Sequence, residues 1–113
     1  MASTLEWQVD KRDGGTVVAA SGRVDESTAT EFAEVLGEHA ETAGARLVVD
    51  LGGIEYMSSR GLRALTLAHR RGEEAGTKIA LARPNETMRE ILSISRYDMV
   101  FPVADTIEEA LAS

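Results

Sequence analysis

The segment that most constrains the fold is an apolar strand pattern that leads through a short loop into an amphipathic helix. Residues 46–51 read Arg-Leu-Val-Val-Asp-Leu, a run short and β-branched enough to be a strand covered on both faces. Ser58 and Ser59 end the loop that follows, and the apolar spacing after them predicts a helix that begins near Arg60. A covered strand joined to a helix in this way predicts a sheet with helices packed on it.

The other segments extend this pattern along the chain. Alternating apolar and polar residues predict a strand at residues 5–9, and a glycine turn joins it to a second strand at residues 16–20. Thr28 and Glu31 have the spacing of a capping box at the start of a first helix, and residues 100–103 predict a proline-containing edge strand. The predicted order is β-β-α-β-α-β-α-β-α, an α/β fold with a mixed sheet of about five strands and about four helices. We expect one domain over residues 1–113.

Composition limits the kinds of partner that this chain can have. Its formal net charge of −7 at pH 7 disfavours nucleic acid and anionic lipid as the main ligand. Without cysteine there is no disulfide framework, thiolate nucleophile or zinc–thiolate site. No apolar stretch approaches the roughly 20 residues of a membrane span, and the first residues lack the features of a signal peptide. We therefore expect a cytoplasmic protein with neither a membrane nor a nucleic-acid partner.

The sequence offers little catalytic chemistry. His39 and His69 are the only histidines, and both fall inside predicted helices, away from any obvious serine partner. Asp50 and Glu55 form at most a weak carboxylate pair, and no spacing of histidines and carboxylates suggests a metal site. The nucleophile-elbow, Walker and dinucleotide-binding glycine patterns are absent from the sequence. We expect a protein that is not an enzyme and that has no metal and no cofactor.

The serines before the predicted helix allow two interpretations. A hydroxyl at the start of a helix lies beside unpaired backbone N–H groups and the positive end of the helix dipole, which together favour a phosphate. The same hydroxyl can be an ordinary helix cap, worth about 0.5–2 kcal/mol. Spacing alone favours the cap for either Ser58 or Ser59.

Around these serines the sequence resembles the STAS family, named for sulfate transporters and anti-sigma-factor antagonists. The matching positions of the central motif are Asp50-Leu51, Ile54, Tyr56-Met57-Ser58-Ser59 and Gly61-Leu62. Residues 22–25 and 76–81 match the segments on either side of the motif, and the likeness runs from about Leu5 to Leu111. The resemblance implies a STAS-like domain.

The resemblance also implies an anti-sigma-factor antagonist that works by partner switching. In this scheme the unphosphorylated domain binds an anti-sigma factor that is also a serine-protein kinase. Phosphorylation releases that partner, and a serine phosphatase resets the cycle. On this chain Ser59 takes the phosphoacceptor position in preference to Ser58, which is then the helix cap. The expected partner-binding residues are Asp25, Met57, Ser58, Ser59, Arg60, Leu62 and Arg63.

Two of these positions depart from the family pattern, and other functions stay open. Arg60 and Arg63 stand where the family can have small residues, so each can contact either a phosphate or the partner. Stand-alone STAS domains also serve as accessory subunits of ABC-type lipid transport systems, where the serine need never be phosphorylated. A stressosome-type scaffold is a third function, and a small nucleotide hydrolase is a fourth that no motif supports. We expect a monomer or a weak dimer.

Overall fold

The computed structural model describes residues 5–113 as strands and helices that alternate along the chain. In chain order these are β1 Glu6–Arg12, β2 Gly15–Val24, α1 Ala29–Thr42, β3 Arg46–Met57, α2 Ser59–Ala75, β4 Lys78–Ala82, α3 Glu86–Ile94, a 3₁₀ turn Tyr97–Met99, β5 Val103–Ala104 and α4 Ile107–Ala112. The strands follow one another across a single sheet in this same order, with β1 antiparallel to β2 and the other neighbours parallel. The α/β class, the mixed sheet and the predicted element order are confirmed.

The two faces of the sheet carry different helices. On one face α1, α2 and α3 enclose the main core, which includes Phe32, Leu65 and Leu92 over Val18 and Leu81. On the other face α4 packs against a smaller cluster on β2, β3 and β4. The strands in the middle are therefore covered on both sides, as the apolar run of β3 predicts.

The hairpin at the start of the chain is confirmed, but its burial is uneven. Val9 pairs with Val18 in an antiparallel register, as expected for two strands joined by a glycine turn. Trp7 stacks on Phe32 of α1 with ring centroids 5.9 Å apart, whereas Val9 is 46% exposed. The alternating apolar residues of β1 therefore belong to a half-buried edge strand, in which α1 covers Trp7 but not Val9.

The predicted loop after residue 51 is wrong, because β3 continues without a break to Met57. The end of β2 supplies its partner, with Gly22 opposite Ile54, and two register irregularities absorb the extra residues of β3. A side chain on Gly53 would collide with the Ser21 hydroxyl. The glycine pair that is typical of a loop instead allows neighbouring strands to approach closely.

The predicted capping box at the start of α1 does not form. The Thr28 hydroxyl donates to the Arg23 carbonyl oxygen at 2.7 Å and accepts from the Asp25 backbone N–H at 3.0 Å. Glu31 accepts a hydrogen bond from the Trp7 indole N–H at 2.8 Å. Thr28 therefore orders the turn after β2, and Glu31 ties β1 to α1, so neither side chain caps the helix.

The predicted edge strand at residues 100–103 is displaced toward the C-terminus. Only Val103 and Ala104 form β5, while Phe101 is 1% exposed and belongs to the main core. The Pro102 carbonyl oxygen accepts a hydrogen bond from the Leu81 backbone N–H at 2.9 Å. Proline can accept in a ladder but cannot donate, which is consistent with its position just before a short edge strand.

Candidate functional site

Two segments of the predicted site meet where the parallel strands β2 and β3 end. Val24 lies opposite Met57 at the last position of the register, and the Ser58 backbone N–H donates to the Val24 carbonyl oxygen at 2.8 Å. Asp25 and Ser58 follow these two strands, so they emerge side by side at one edge of the sheet. We call Asp25, Ser58, Ser59 and Arg60 the serine edge.

Ser59 is exposed and is the first residue of α2. The first hydrogen bond of the helix runs from the Leu62 backbone N–H to the Ser58 carbonyl oxygen at 3.0 Å, so the N–H groups before Leu62 have no partner within the helix. The first turn of α2 contains no acidic residue that would offset the helix dipole. A negatively charged group on the Ser59 hydroxyl would therefore gain free donors and a favourable dipole.

Ser58 occupies the N-cap position through its backbone alone. Its φ and ψ angles of −79° and 176° are those of an N-cap, but its side chain makes no capping hydrogen bond. The Ser58 Oγ atom is buried and has no hydrogen-bond partner among residues 5–113. The prediction that the Ser58 hydroxyl caps α2 is wrong, because this oxygen is enclosed by the protein and bonds to none of the free N–H groups.

The prediction that Met57 lies on the partner surface is wrong for its side chain. Met57 is 2% exposed and belongs to the main core. A side chain on Gly61 would collide with Met57 and Val24, so these residues pack directly beneath the first turn of α2. As the last residue of β3, Met57 faces the helix layer and packs under the residues of the serine edge.

Asp25 places a fixed negative charge at the serine edge. One of its carboxylate oxygens accepts hydrogen bonds from the Ser27 hydroxyl at 2.7 Å and from the Ser27 backbone N–H at 2.9 Å. The Ser27 hydroxyl is the main reason that the pKa of Asp25 lies below its usual value, followed by the Ser27 backbone N–H and then by the charge of Arg23. Asp25 is therefore ionised at neutral pH.

The remaining predicted site residues differ in exposure. Arg60 and Arg63 are exposed, and within residues 5–113 neither has an ion-pair partner within 4.0 Å. Leu62 is half-buried and packs against the main core. The exposed part of the predicted surface therefore consists of Ser59 and the two arginines, with Asp25 beside them.

The sequence does not predict an ion pair that β3 makes away from the serine edge. Arg83 donates to both carboxylate oxygens of Asp50, at 2.9 and 3.2 Å, and Asp50 is 6% exposed. Asp50 also accepts from the Gly52 backbone N–H at 2.9 Å, and its hydrogen bonds raise the pKa of Arg83. The available signal is an aspartate at the end of the predicted strand 46–51 and an arginine directly after β4, the parallel strand beside it.

The histidines lie in helices, as predicted, and away from the serine edge. His39 contacts the Val35 carbonyl oxygen through Nδ1 at 2.9 Å, and the His69 ring meets Phe101 edge-on at 5.3 Å. Across residues 5–113, no three histidines or carboxylates are grouped in a way that could hold a metal ion. In the same part of the chain, every helix is too short or too polar to cross a bilayer.

Comparison with known proteins identifies the family of this chain. The family model described as "Mlab, STAS domain" matches residues 7–102. The chain belongs to the STAS family. A relative from Bordetella bronchiseptica, named "Putative anti-sigma factor antagonist BtrV", is 30% identical to this STAS protein over 109 residues, which is 96% of this chain and 94% of the relative.

Solved structures share the fold of this STAS protein. The crystal structure of an anti-sigma factor antagonist from Mycobacterium paratuberculosis is 28% identical, with a TM-score of 0.81 over 96% of this chain and 92% of that one. The Bacillus cell fate determinant SpoIIAA in its phosphorylated form gives a TM-score of 0.68 at 18% identity, over 95% and 97% of the two chains, and it supports the fold alone. The family of these antagonists is one of regulatory binding proteins and is not a known enzyme family.

Proposed function

We propose that this STAS protein is an anti-sigma-factor antagonist that works by partner switching. Its unphosphorylated serine edge binds a cytoplasmic protein that is both an anti-sigma factor and a serine kinase, and phosphorylation of Ser59 releases that partner. A serine phosphatase then restores the binding form. The observation that carries the proposal is the exposed Ser59 hydroxyl on the first turn of α2, next to the ionised Asp25, in a chain whose relatives are named as antagonists.

The difference in exposure between the two serines supports Ser59 as the phosphoacceptor. A kinase must bring ATP and a general base to the hydroxyl oxygen that it modifies. Ser59 is exposed, whereas the Ser58 Oγ atom is buried. Modification of Ser58 would require the start of α2 to open, but modification of Ser59 would not.

Release by phosphorylation needs no change of fold. A phosphate adds about −1.5 to −2 charges at neutral pH, and in the free protein it would lie beside helix N–H groups and one turn before the Arg63 guanidinium. In the complex the same phosphate would lose water close to the negative Asp25. Burying an uncompensated ion costs several kcal/mol, and each 1.4 kcal/mol is about tenfold in affinity.

Three baits test the proposal in a pull-down from native-host lysate read by mass spectrometry. Ser59→Ala is expected to enrich an ATP-binding serine kinase that Ser59→Asp loses. Ser93→Asp is the matched control, because Ser93 is exposed on α3 and the substitution adds the same charge. Urea denaturation of all three variants checks that each bait is folded.

The pull-down and a sizing-chromatography run together separate the competing functions. If the alanine and aspartate baits recover the same transporter ATPase, the protein is an accessory subunit of an ABC-type lipid transport system and Ser59 is not a switch. If the native protein elutes as a large particle in sizing chromatography, a stressosome-type scaffold replaces the proposal. Loss of the kinase from Ser93→Asp as well would show that added charge, rather than its position, prevents binding.

A further inference from the structure

A shallow groove runs along the outer surface where α1 and α2 pack side by side. Two adjoining hollows of about 260 and 310 Å³ form it, and they share Ala33, Glu34 and Leu67. We call this feature the α1–α2 groove. Its floor consists of Ala29, Ala33, Ala64 and Leu67. Leu67 is 38% exposed, an apolar side chain that these two helices leave in contact with solvent.

Arginines line the α2 wall of this groove. Arg60, Arg63 and Arg70 lie three and seven residues apart, so they share one side of the helix with Leu67. Within residues 5–113 none of the three has an ion-pair partner within 4.0 Å, whereas the neighbouring Arg71 is paired with Glu41 at 2.7 Å. In a chain with a net charge of −7, this arginine row is a local concentration of three positive charges that make no ion pair in the described residues.

The α1 wall of the groove is acidic, whereas the α2 wall is mainly basic and carries one glutamate, Glu74, at its far end. Glu34 projects from the α1 wall and lines both hollows, opposite the arginines of the α2 wall. A ligand with one acidic side would therefore bind in a single orientation, because its reverse would place like charges together. The negative charge of the whole molecule disfavours a nucleic acid, which carries negative charge on every side.

We propose that the α1–α2 groove binds an amphipathic helix of a partner protein whose acidic residues face the arginine row. The apolar side of that helix would rest on Leu67 and on the alanine floor, where small side chains permit close approach. Arg60 and Arg70 are about 15 Å apart along the helix axis at 1.5 Å per residue, so the partner helix has about three turns. The groove begins at Arg60, and it is therefore continuous with the serine edge.

This inference rests on the proposed function for the identity of the partner, since it names the chemistry with which an anti-sigma factor would contact α2. The groove itself is tested without that partner. The probes are two stapled amphipathic peptides of about 14 residues, identical except that one has glutamates and the other lysines beside a central leucine. Each peptide is titrated into the isotope-labelled full chain, with amide shifts and fluorescence anisotropy as readouts.

The glutamate peptide is expected to bind at least about tenfold more tightly than the lysine peptide, with the largest shifts at Ala33, Ala64 and Leu67. Arg70→Glu should weaken its binding by at least about tenfold, and Lys11→Glu, the same charge change at an exposed site on β1, by less than about twofold. Arg70→Gln is the second variant if Arg70→Glu disturbs the amide spectrum beyond α2. Equal affinity for the two peptides, or shifts centred outside the groove, would overturn the proposal.

Two further outcomes separate this inference from the proposed function. If Ser59→Asp loses the anti-sigma partner but Arg70→Glu binds it like the native chain, the groove assignment fails and partner switching stands. If no anti-sigma partner is recovered but the glutamate peptide still binds in the groove, partner switching fails and the groove assignment stands. Self-association that Arg70→Glu abolishes would assign the groove to a second copy of this chain and overturn the partner helix.

Discussion

At the scale of single residues, the two serines of the serine edge differ in solvation more than in chemistry. The Ser58 Oγ atom is buried without a hydrogen-bond partner in the described part of the chain, whereas Ser59 is exposed beside free N–H groups. A buried polar group without a partner costs about 1–3 kcal/mol, so the Ser58 hydroxyl lowers stability, whereas the exposed Ser59 hydroxyl carries no such cost. The exposed Ser59 hydroxyl is therefore accessible from solvent, whereas the buried Ser58 hydroxyl is not.

Replacement of Ser58 by alanine is expected to leave the free energy of unfolding unchanged or to raise it by up to about 1 kcal/mol. The substitution removes an oxygen that has no partner and keeps the backbone hydrogen bonds of Ser58 to Val24 and Leu62. Urea denaturation of Ser58→Ala and native protein measures the difference. A loss of about 1 kcal/mol would instead mean that the hydroxyl caps α2 in solution.

Asp25 is expected to make folding stability fall at acid pH. Its pKa is lower in the folded than in the unfolded chain, so its contribution is complete above the unfolded pKa of about 4 and is lost as the pH falls through the folded pKa. Ser27→Ala removes the main cause of the shift and should move the Asp25 pKa back toward its usual value, as followed by NMR titration. Asp25→Asn should remove this part of the acid dependence, and an unchanged Asp25 pKa in Ser27→Ala would contradict the assigned cause.

At the scale of elements, the pattern of the sequence predicts what is local and misses what depends on distant neighbours. The hairpin, the helices and their order follow from periodicity and turn residues. The end of β3 does not, because its glycine pair is typical of a loop and only pairing with β2 makes it a strand. The same pairing points the Met57 side chain into the core. A strand predicted to end at residue 51 leaves Met57 in an exposed loop, which is why the sequence wrongly places it on the partner surface.

Gly61 fixes how closely the first turn of α2 approaches the sheet. A methyl group there would collide with the Met57 and Val24 side chains, so Gly61→Ala is expected to destabilise the protein by about 1–3 kcal/mol through overpacking. Adding Met57→Ala should cost less than the sum of the two single losses, because it frees the space that the new methyl group needs. Urea denaturation of the two single variants and the double variant gives the coupling free energy between the two sites. Strictly additive losses would show that α2 shifts to make room for the methyl group, so that it does not collide with Met57.

At the scale of the whole molecule, contacts on both faces hold the first strand and the last helix to the same sheet. On one face Trp7 of β1 bonds to Glu31 and stacks on α1. On the other face α4 packs on the middle strands, and Arg46 of β3 donates to the Ala110 carbonyl oxygen at 3.3 Å. Since neither β1 nor α4 has a core of its own, we propose that the chain unfolds as one domain.

A substitution in α4 should therefore change the stability measured at Trp7, whose side chain packs on the opposite face of the sheet. Ile107 is half-buried against the small cluster, and Ile107→Ala is expected to cost about 1–2 kcal/mol. Trp7 is the single tryptophan, so its fluorescence reports β1 and α1, while far-UV circular dichroism reports all the helices. For one cooperative domain, the urea midpoints from the two probes coincide in the native chain and shift together in Ile107→Ala. Ala112→Ser, an exposed change in the same helix, should change the free energy of unfolding from either probe by no more than about 0.5 kcal/mol. A shift in the dichroism midpoint with an unchanged Trp7 midpoint would mean that α4 unfolds separately, and the single-domain proposal would then fail.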